Sequence, residues 1–295
     1  MNSIPTPTES MALAMPWTRW TEQQWRGGLY SAFASARGNS HAVNEDCCLH
    51  SPSADAPVCC VVADGVGGGA HGEVASHALA QHCASAPPAV YRKPARLAEW
   101  LKQGDKVVSA AIARRGNQRG ASTLVAAWFL SPSKIHLSNI GDCRAYRLRP
   151  RWLGKGWRIE QLTQDQTYAN LNRNPPPGGS PHDPACMAGV GVVGEPPVLR
   201  VKLAERECLL LCSDGLHKFV EDADLAHLVG SGLHEGMGLK ALCQNLVETA
   251  QRNGSYDDIS ALLVQRRPWF GAASGYWLAL MVAWVWIVCF FGLIL

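Results

Sequence analysis

An excess of charge is what this chain lacks most clearly. Its 295 residues carry 27 Lys and Arg against 24 Asp and Glu, a formal net charge of +3, with both signs spread along the chain. No basic stripe interleaved with aromatic residues is present, which argues against a nucleic-acid platform and against a nuclease. Among eleven cysteines there is no CxxC pair; they stand as Cys47-Cys48, Cys59-Cys60 and single residues inside apolar runs. That spacing speaks against a zinc site or a disulfide framework and predicts buried free thiols in a reducing compartment. The first sixteen residues have no basic start and only a short apolar run at 11–15, so no secretory signal is expected. No internal repeat occurs.

One absence is informative in the opposite direction. No charged residue occurs between 271 and 295, and residues 276–295 read YWLALMVAWVWIVCFFGLIL. Twenty such residues, at about 1.5 Å each, match the hydrocarbon thickness of a bilayer. The sequence therefore predicts a C-terminal transmembrane helix. Arg266 and Arg267 precede it, and Trp269, Tyr276 and Trp277 suit the headgroup level, so the positive-inside rule puts the preceding domain in the cytoplasm.

Three regions follow: a weakly ordered arm at 1–26 with Trp17, Trp20 and Trp25 as docking residues, a body at 27–266, and a juxtamembrane segment with its anchor at 267–295. Within the body, β-rich or apolar runs bounded by turn residues lie at 29–36, 58–63, 122–130, 134–140, 144–149, 208–213 and 259–264. Helical stretches are read at 72–85, 96–115 and 239–252. Strands outnumber helices and do not alternate with them, which favours an α+β architecture of antiparallel sheets with helices outside. The stretch NLNRNPPPGGSPHD at 170–183 can continue neither helix nor strand and must be an exposed loop.

Acidic residues stand beside glycines or at strand ends: Glu45 and Asp46 in NED, Asp64 in DGVGG, Asp214 in LLLCSDG, and Asp257-Asp258 before ISALLV. An Asp ending a buried strand is unfavourable without a cation, and several converging carboxylates repel. Hard oxygen ligands of this kind suit Mg²⁺ or Mn²⁺. Gly65 lets a backbone carbonyl come close to an ion, and Gly67, Gly68 and Gly69 permit a tight turn into the next helix.

In this order the pieces resemble the protein phosphatase type 2C family, also called PPM, of metal-dependent Ser/Thr phosphatases. The matching pieces are NED at 44–46, VVADGVGGGAHGEVAS at 61–76, GASTLVAA at 120–127, NIGDCRAYRL at 139–148, LTQD at 162–165, LLLCSDGL at 209–216 and GSYDDISALLV at 254–264. The resemblance implies an α/β/β/α sandwich of two antiparallel sheets flanked by helices, with two Mg²⁺ or Mn²⁺ ions at one edge. It implies that Asp64 bridges both ions, that Gly65 offers its carbonyl, that Asp214 and Asp257 complete one ion's ligands, and that Glu45 and Asp46 hold metal-bound waters or a metal. Asp142 matches the residue that helps a third, weaker ion bind near Asp214. The implied activity is hydrolysis of phosphoserine and phosphothreonine on proteins by metal-activated water. The implied partners are phosphoproteins and a cognate Ser/Thr kinase, and the predicted anchor adds a bacterial inner membrane as the expected location.

Three positions depart from the family. His41 stands where bacterial members usually carry an Arg that grips phosphate, with Arg37 the nearest substitute. Val66 stands where many eukaryotic members have a His, which points to the bacterial branch. Asp258 stands where Asn is usual. His41 keeps a rival reading open, a pseudophosphatase that binds phosphoproteins with little turnover. His71, His77 and His82 are read as an exposed helix face, His217 and Lys218 as turn or surface residues, and the loop at 170–184 as the flap that selects substrate.

Overall fold

In the computed structural model the described residues are 19–25, 28–50, 59–66, 71–116, 120–151 and 156–267. They form eleven strands: β1 (Arg19–Trp25), β2 (Leu29–Ala36), β3 (Cys47–His50), β4 (Cys59–Val66), β5 (Ala121–Ser131), β6 (Lys134–Ile140), β7 (Arg144–Pro150), β8 (Trp157–Gln161), β9 (Leu199–Lys202), β10 (Cys208–Cys212) and β11 (Ile259–Arg266). The helices are α1 (Gly72–Ala84), α2 (Pro88–Tyr91), α3 (Pro94–Ala113), α4 (Asp214–His217), α5 (Asp222–His234) and α6 (Leu239–Arg252). One sheet has the order β1-β2-β11-β10-β7-β8 and the other β3-β4-β5-β6-β9, with antiparallel pairing throughout.

Why the central strands read as unbroken apolar runs is visible in where alternate residues go. In β10, Cys208, Leu210 and Cys212 join the core beneath α5 and α6, while Leu209 and Leu211 face the second sheet. In β4, Cys59, Val61 and Ala63 pack under α1 and α3, while Cys60 and Val62 meet the facing sheet. Strands covered on both faces need apolar residues on both faces, so the period of two disappears from the sequence. The helices keep their stripe: Leu239, Leu242, Cys243, Leu246, Val247 and Ala250 of α6 recur at helical spacing and are all buried. The result is the expected helix, sheet, sheet, helix layering.

Two differences from the sequence reading have physical causes. Residues 19–25, assigned to a weakly ordered arm, form β1 and pair with β2 from Arg19↔Ser35 to Trp25↔Leu29. α5 gives a weak helical signal because Gly230 and Gly232 lower helix propensity. In the fold Gly230 is a packing position, since a Cβ there would run into the Trp157 indole of β8. The ten described cysteines are free, nine of them buried. Among the described residues no helix is long and apolar enough to cross a membrane, and the apolar segment at 276–295 lies outside them.

Leu211 is fully buried between the sheets. Leu211→Ala should destabilise the domain by about 2–5 kcal/mol in urea unfolding. Val107→Ala, on the outer face of α3 at 38% exposure, should stay within about 0.5 kcal/mol. Equal midpoints for the two variants would contradict this layering.

Candidate active site at one end of the sandwich

Antiparallel pairing gathers acidic segments that are far apart in sequence. Ala63, just before Asp64, lies opposite Cys47, which follows Asp46, and Asp64 itself lies opposite Thr123. In the other sheet Cys212, two residues before Asp214, lies opposite Arg144, two residues after Asp142, while Ile259, next to Asp258, lies opposite Ala36. Register therefore puts Glu45, Asp46 and Asp64 at one end of one sheet, and Asp142, Asp214, Asp257 and Asp258 at one end of the other.

Side-chain contacts then join the two sheets. Ser213 Oγ donates to Asp46 Oδ2 at 2.7 Å, and the Asp64 and Asp214 carboxyls lie near enough to act on each other's charge. Backbone approach is equally tight: a Cβ on Gly65 would strike the Gly72 carbonyl at the start of α1 and lie 2.7 Å from the Glu45 carbonyl. A Cβ on Gly215 would strike the Asp258 carbonyl. Only glycine lets these segments close on one another.

Asp258, the unusual second carboxylate, has a structural job. Its Oδ1 accepts the Gly38 N–H at 2.7 Å, and its Oδ2 accepts the Glu45 N–H at 2.7 Å and lies 3.1 Å from His41 Nδ1. His41 Nδ1 is also 3.7 Å from Asp257 Oδ1. Arg37 donates through Nη1 to the His41 carbonyl at 2.6 Å and the Ala42 carbonyl at 3.4 Å. The structure thus places both candidate phosphate-binding residues on the rim: Arg37 braces the loop that carries His41, and Asp258 holds the imidazole.

The electrostatics are those of a site short of positive charge. Burial, reinforced by the neighbouring carboxylates, pushes Asp64 and Asp46 well above the usual carboxylate range. The same two causes raise Asp142 to about 7, and burial raises Glu45 and Asp257. Asp214 goes the other way; burial works against its charge, and the Lys218 ammonium beside it outweighs that and holds the carboxyl low. Glu45 Oε2, Asp46 Oδ1, Asp142 Oδ2 and Asp214 Oδ1 are buried acceptors with no hydrogen-bond donor. Orphaned, hard and anionic, those of Glu45, Asp46 and Asp214 fit Mg²⁺ or Mn²⁺, while Asp142 Oδ2 faces the Lys218 ammonium at 3.6 Å. Among the described residues no three His, Cys, Asp or Glu side chains stand together as a finished cage.

Two residues assigned to the surface belong here. His217 is buried, its Nε2 3.0 Å from the Asp142 carbonyl. Lys218 puts its Nζ 2.6 Å from Asp214 Oδ2. The available signal is the spacing of four between Asp214 and Lys218, which brings two side chains together once the segment turns helical. The three histidines read as a helix face make other contacts: His71 lies 3.7 Å from Glu73, His77 contacts the Glu73 carbonyl, and His82 contacts the Trp100 carbonyl while stacking on its indole. The loop at 170–184 is rooted beside the site through Gln166, whose N–H donates to the Gly141 carbonyl and whose Oε1 accepts the Gly141 N–H. Gly67, Gly68 and Gly69 lie outside the described residues.

The sequence model of the family described as Protein phosphatase 2C matches residues 36–249, which span both sheets and most of the acidic set. The chain belongs to the protein phosphatase 2C family. It is 25% identical over 252 residues to the serine/threonine phosphatase stp of Listeria welshimeri, covering 81% of this chain and 96% of that protein. The catalytic domain of the serine/threonine protein phosphatase PstP in complex with two manganese ions superposes with a TM-score of 0.62 at 26% identity, covering 80% of this chain and 97% of that one. PppA, a key regulatory component of T6SS in Pseudomonas aeruginosa, superposes with a TM-score of 0.63 at 26% identity, covering 83% and 99%. Membership in the protein phosphatase 2C family makes the chain a hydrolase and accounts for its oxygen-only, two-metal donor set.

Two outcomes follow from this geometry. Asp258→Asn replaces one accepting oxygen by an amide that cannot take an N–H, and should lower stability by about 1–3 kcal/mol; an unchanged urea midpoint would remove Asp258 from its clamping role. A carboxylate with a raised folded pKa contributes stability that is complete below its unfolded value near 3.8 and is lost as pH rises through the folded value. Bound metal removes that loss by holding the ionised form. The rise in Tm on adding Mn²⁺ should therefore be larger at about pH 8 than at about pH 6. A shift of the same size at both would refute this electrostatic picture.

Proposed function

We propose that this protein phosphatase 2C hydrolyses phosphoserine and phosphothreonine on proteins at the cytoplasmic face of a bacterial inner membrane, opposing a Ser/Thr kinase. The observation that carries the hydrolytic part is the convergence of carboxylates from separate chain segments, four of whose buried oxygens have no donor. Asp64, Asp214 and Asp257, with Glu45, Asp46 and the Gly65 carbonyl, are the residues that would hold two ions. When bound, such ions activate water for attack on phosphorus and offset charge on the phosphoryl oxygens. The chain's own residues do the positioning. Asp258 fixes the backbone of Glu45 and the ring of His41, so the rim of the site is held before substrate arrives.

His41 is the proposed phosphate contact, with Arg37 supporting it from behind through the His41 carbonyl. The loop at 170–184, rooted at Gly141 next to Asp142, is the proposed selector of substrate. Residues 276–295 are the proposed anchor, on the strength of their length, apolarity and flanking Arg266 and Arg267. An anchor of this kind restricts the enzyme to phosphoproteins that come to the membrane.

The test is Mn²⁺-dependent phosphate release from a phosphothreonine peptide. Asp64→Asn should lower it at least about a hundredfold, the scale of losing one preorganised charge. Acid quenching during turnover should trap no phosphate on the protein, and a covalent phosphoenzyme would end the water-attack reading. In the same assay, a fragment ending at Arg267 should be soluble and active while the full chain sediments with membranes. Sedimentation of the fragment would move the anchor elsewhere.

A further inference from the structure

Among the described residues, two side chains able to carry positive charge reach the carboxylates of the site. His41 stands at the Asp257–Asp258 edge. Lys218 stands at the other, its Nζ 2.6 Å from Asp214 Oδ2 and 3.6 Å from Asp142 Oδ2. The two carboxylates are almost sealed from solvent, with side-chain exposures of 13% and 3%, whereas the lysine enters from outside with 44% of its side chain exposed.

Its position is set by local structure. α4 begins at Asp214, and the Lys218 N–H donates to the Asp214 carbonyl at 3.0 Å, so one helical turn stacks the ammonium on the carboxylate. One residue earlier, the buried His217 ring contacts the Asp142 carbonyl at 3.0 Å and pins the β6–β7 turn to the same helix. Backbone and side chain thus tie Asp142 to Asp214 at two adjacent residues. Asp214 is divided in consequence: Oδ2 belongs to Lys218, while Oδ1 is buried with no donor.

We propose that Lys218 is the resident cation of the Asp142–Asp214 edge, neutralising that pair, presenting Asp214 Oδ1 to the two-ion site and keeping a further divalent ion from settling there. An oxygen already at 2.6 Å from an ammonium is not available at the roughly 2.1 Å that Mg²⁺ requires. A divalent ion on the remaining Asp142 oxygen would meet the ammonium's charge at close range in a poorly solvated place. Lys218 is a positioning residue in this account, and Asp142 is its counter-ion, holding no metal of its own. The inference rests on the two-metal reading above.

The experiment counts ions and does not depend on turnover. Full-length protein in detergent micelles is brought to equilibrium with Mn²⁺ by dialysis, and bound metal per chain is measured. Wild type should bind two ions. Lys218→Gln should gain a third, weaker ion, and Lys218→Arg, which keeps the charge, should stay at two. Adding Asp142→Asn to Lys218→Gln should return the count to two. In the wild-type background Asp142→Asn should leave two ions with affinities changed less than about threefold, an arm that holds even if Lys218→Gln does not fold. Three ions on the wild type, or loss of an ion in Asp142→Asn, would overturn the inference and leave the phosphatase reading standing. No bound Mn²⁺ on the wild type would overturn the two-metal reading itself.

Discussion

Mutual repulsion among carboxylates taken out of water is the constraint on which the rest of this structure depends. Placing Asp46, Asp64, Asp142 and Asp214 side by side costs several kcal/mol per charge unless cations meet them, and the chain supplies only part of that compensation. Lys218 holds Asp214 ionised, Ser213 takes one oxygen of Asp46, and four other oxygens are left without donors. A site in that condition is poised for divalent metal, because what destabilises it empty is what makes it bind.

The two-sheet scaffold is what makes such crowding possible. Each central strand is locked from both faces, by helices outside and the facing sheet inside, as the alternate residues of β4 and β10 show. Strands held so firmly can end in ionisable residues without sliding out of register, since a one-residue slip would expose an entire apolar face. Glycines complete the closure. Gly65 against the Gly72 and Glu45 carbonyls, and Gly215 against the Asp258 carbonyl, allow backbone to approach where any side chain would hold it off. Asp258 works towards the same end. It adds a charge to a crowded place and uses both oxygens to organise the loop through Gly38, His41 and Glu45.

Much of this is legible without any coordinates. The runs at 29–36 and 134–140 match β2 and β6 residue for residue, and 239–252 matches α6, because long periodic or two-sided apolar segments carry their own signal. β8 and β9 escape a sequence reading because they are short edge strands with exposed positions, and α5 escapes it because glycines needed for packing read as breakers. Lys218 and His217 read as surface residues, since the spacing of four from Asp214 to Lys218 becomes a contact only once the segment after the strand is known to turn helical.

By itself the sequence determined the acidic positions, their glycines, the family and the oxygen-only chemistry, since these depend on residue type and order along the chain. Only the tertiary structure decided which acids meet which cations. That Asp258 clamps His41, and that Lys218 sits on Asp214 beside Asp142, follows from strand register and from one helical turn. His41 and Asp258 are 217 positions apart in the chain and meet at a shared sheet end. Such a contact is a consequence of three-dimensional closure, and no local pattern encodes it.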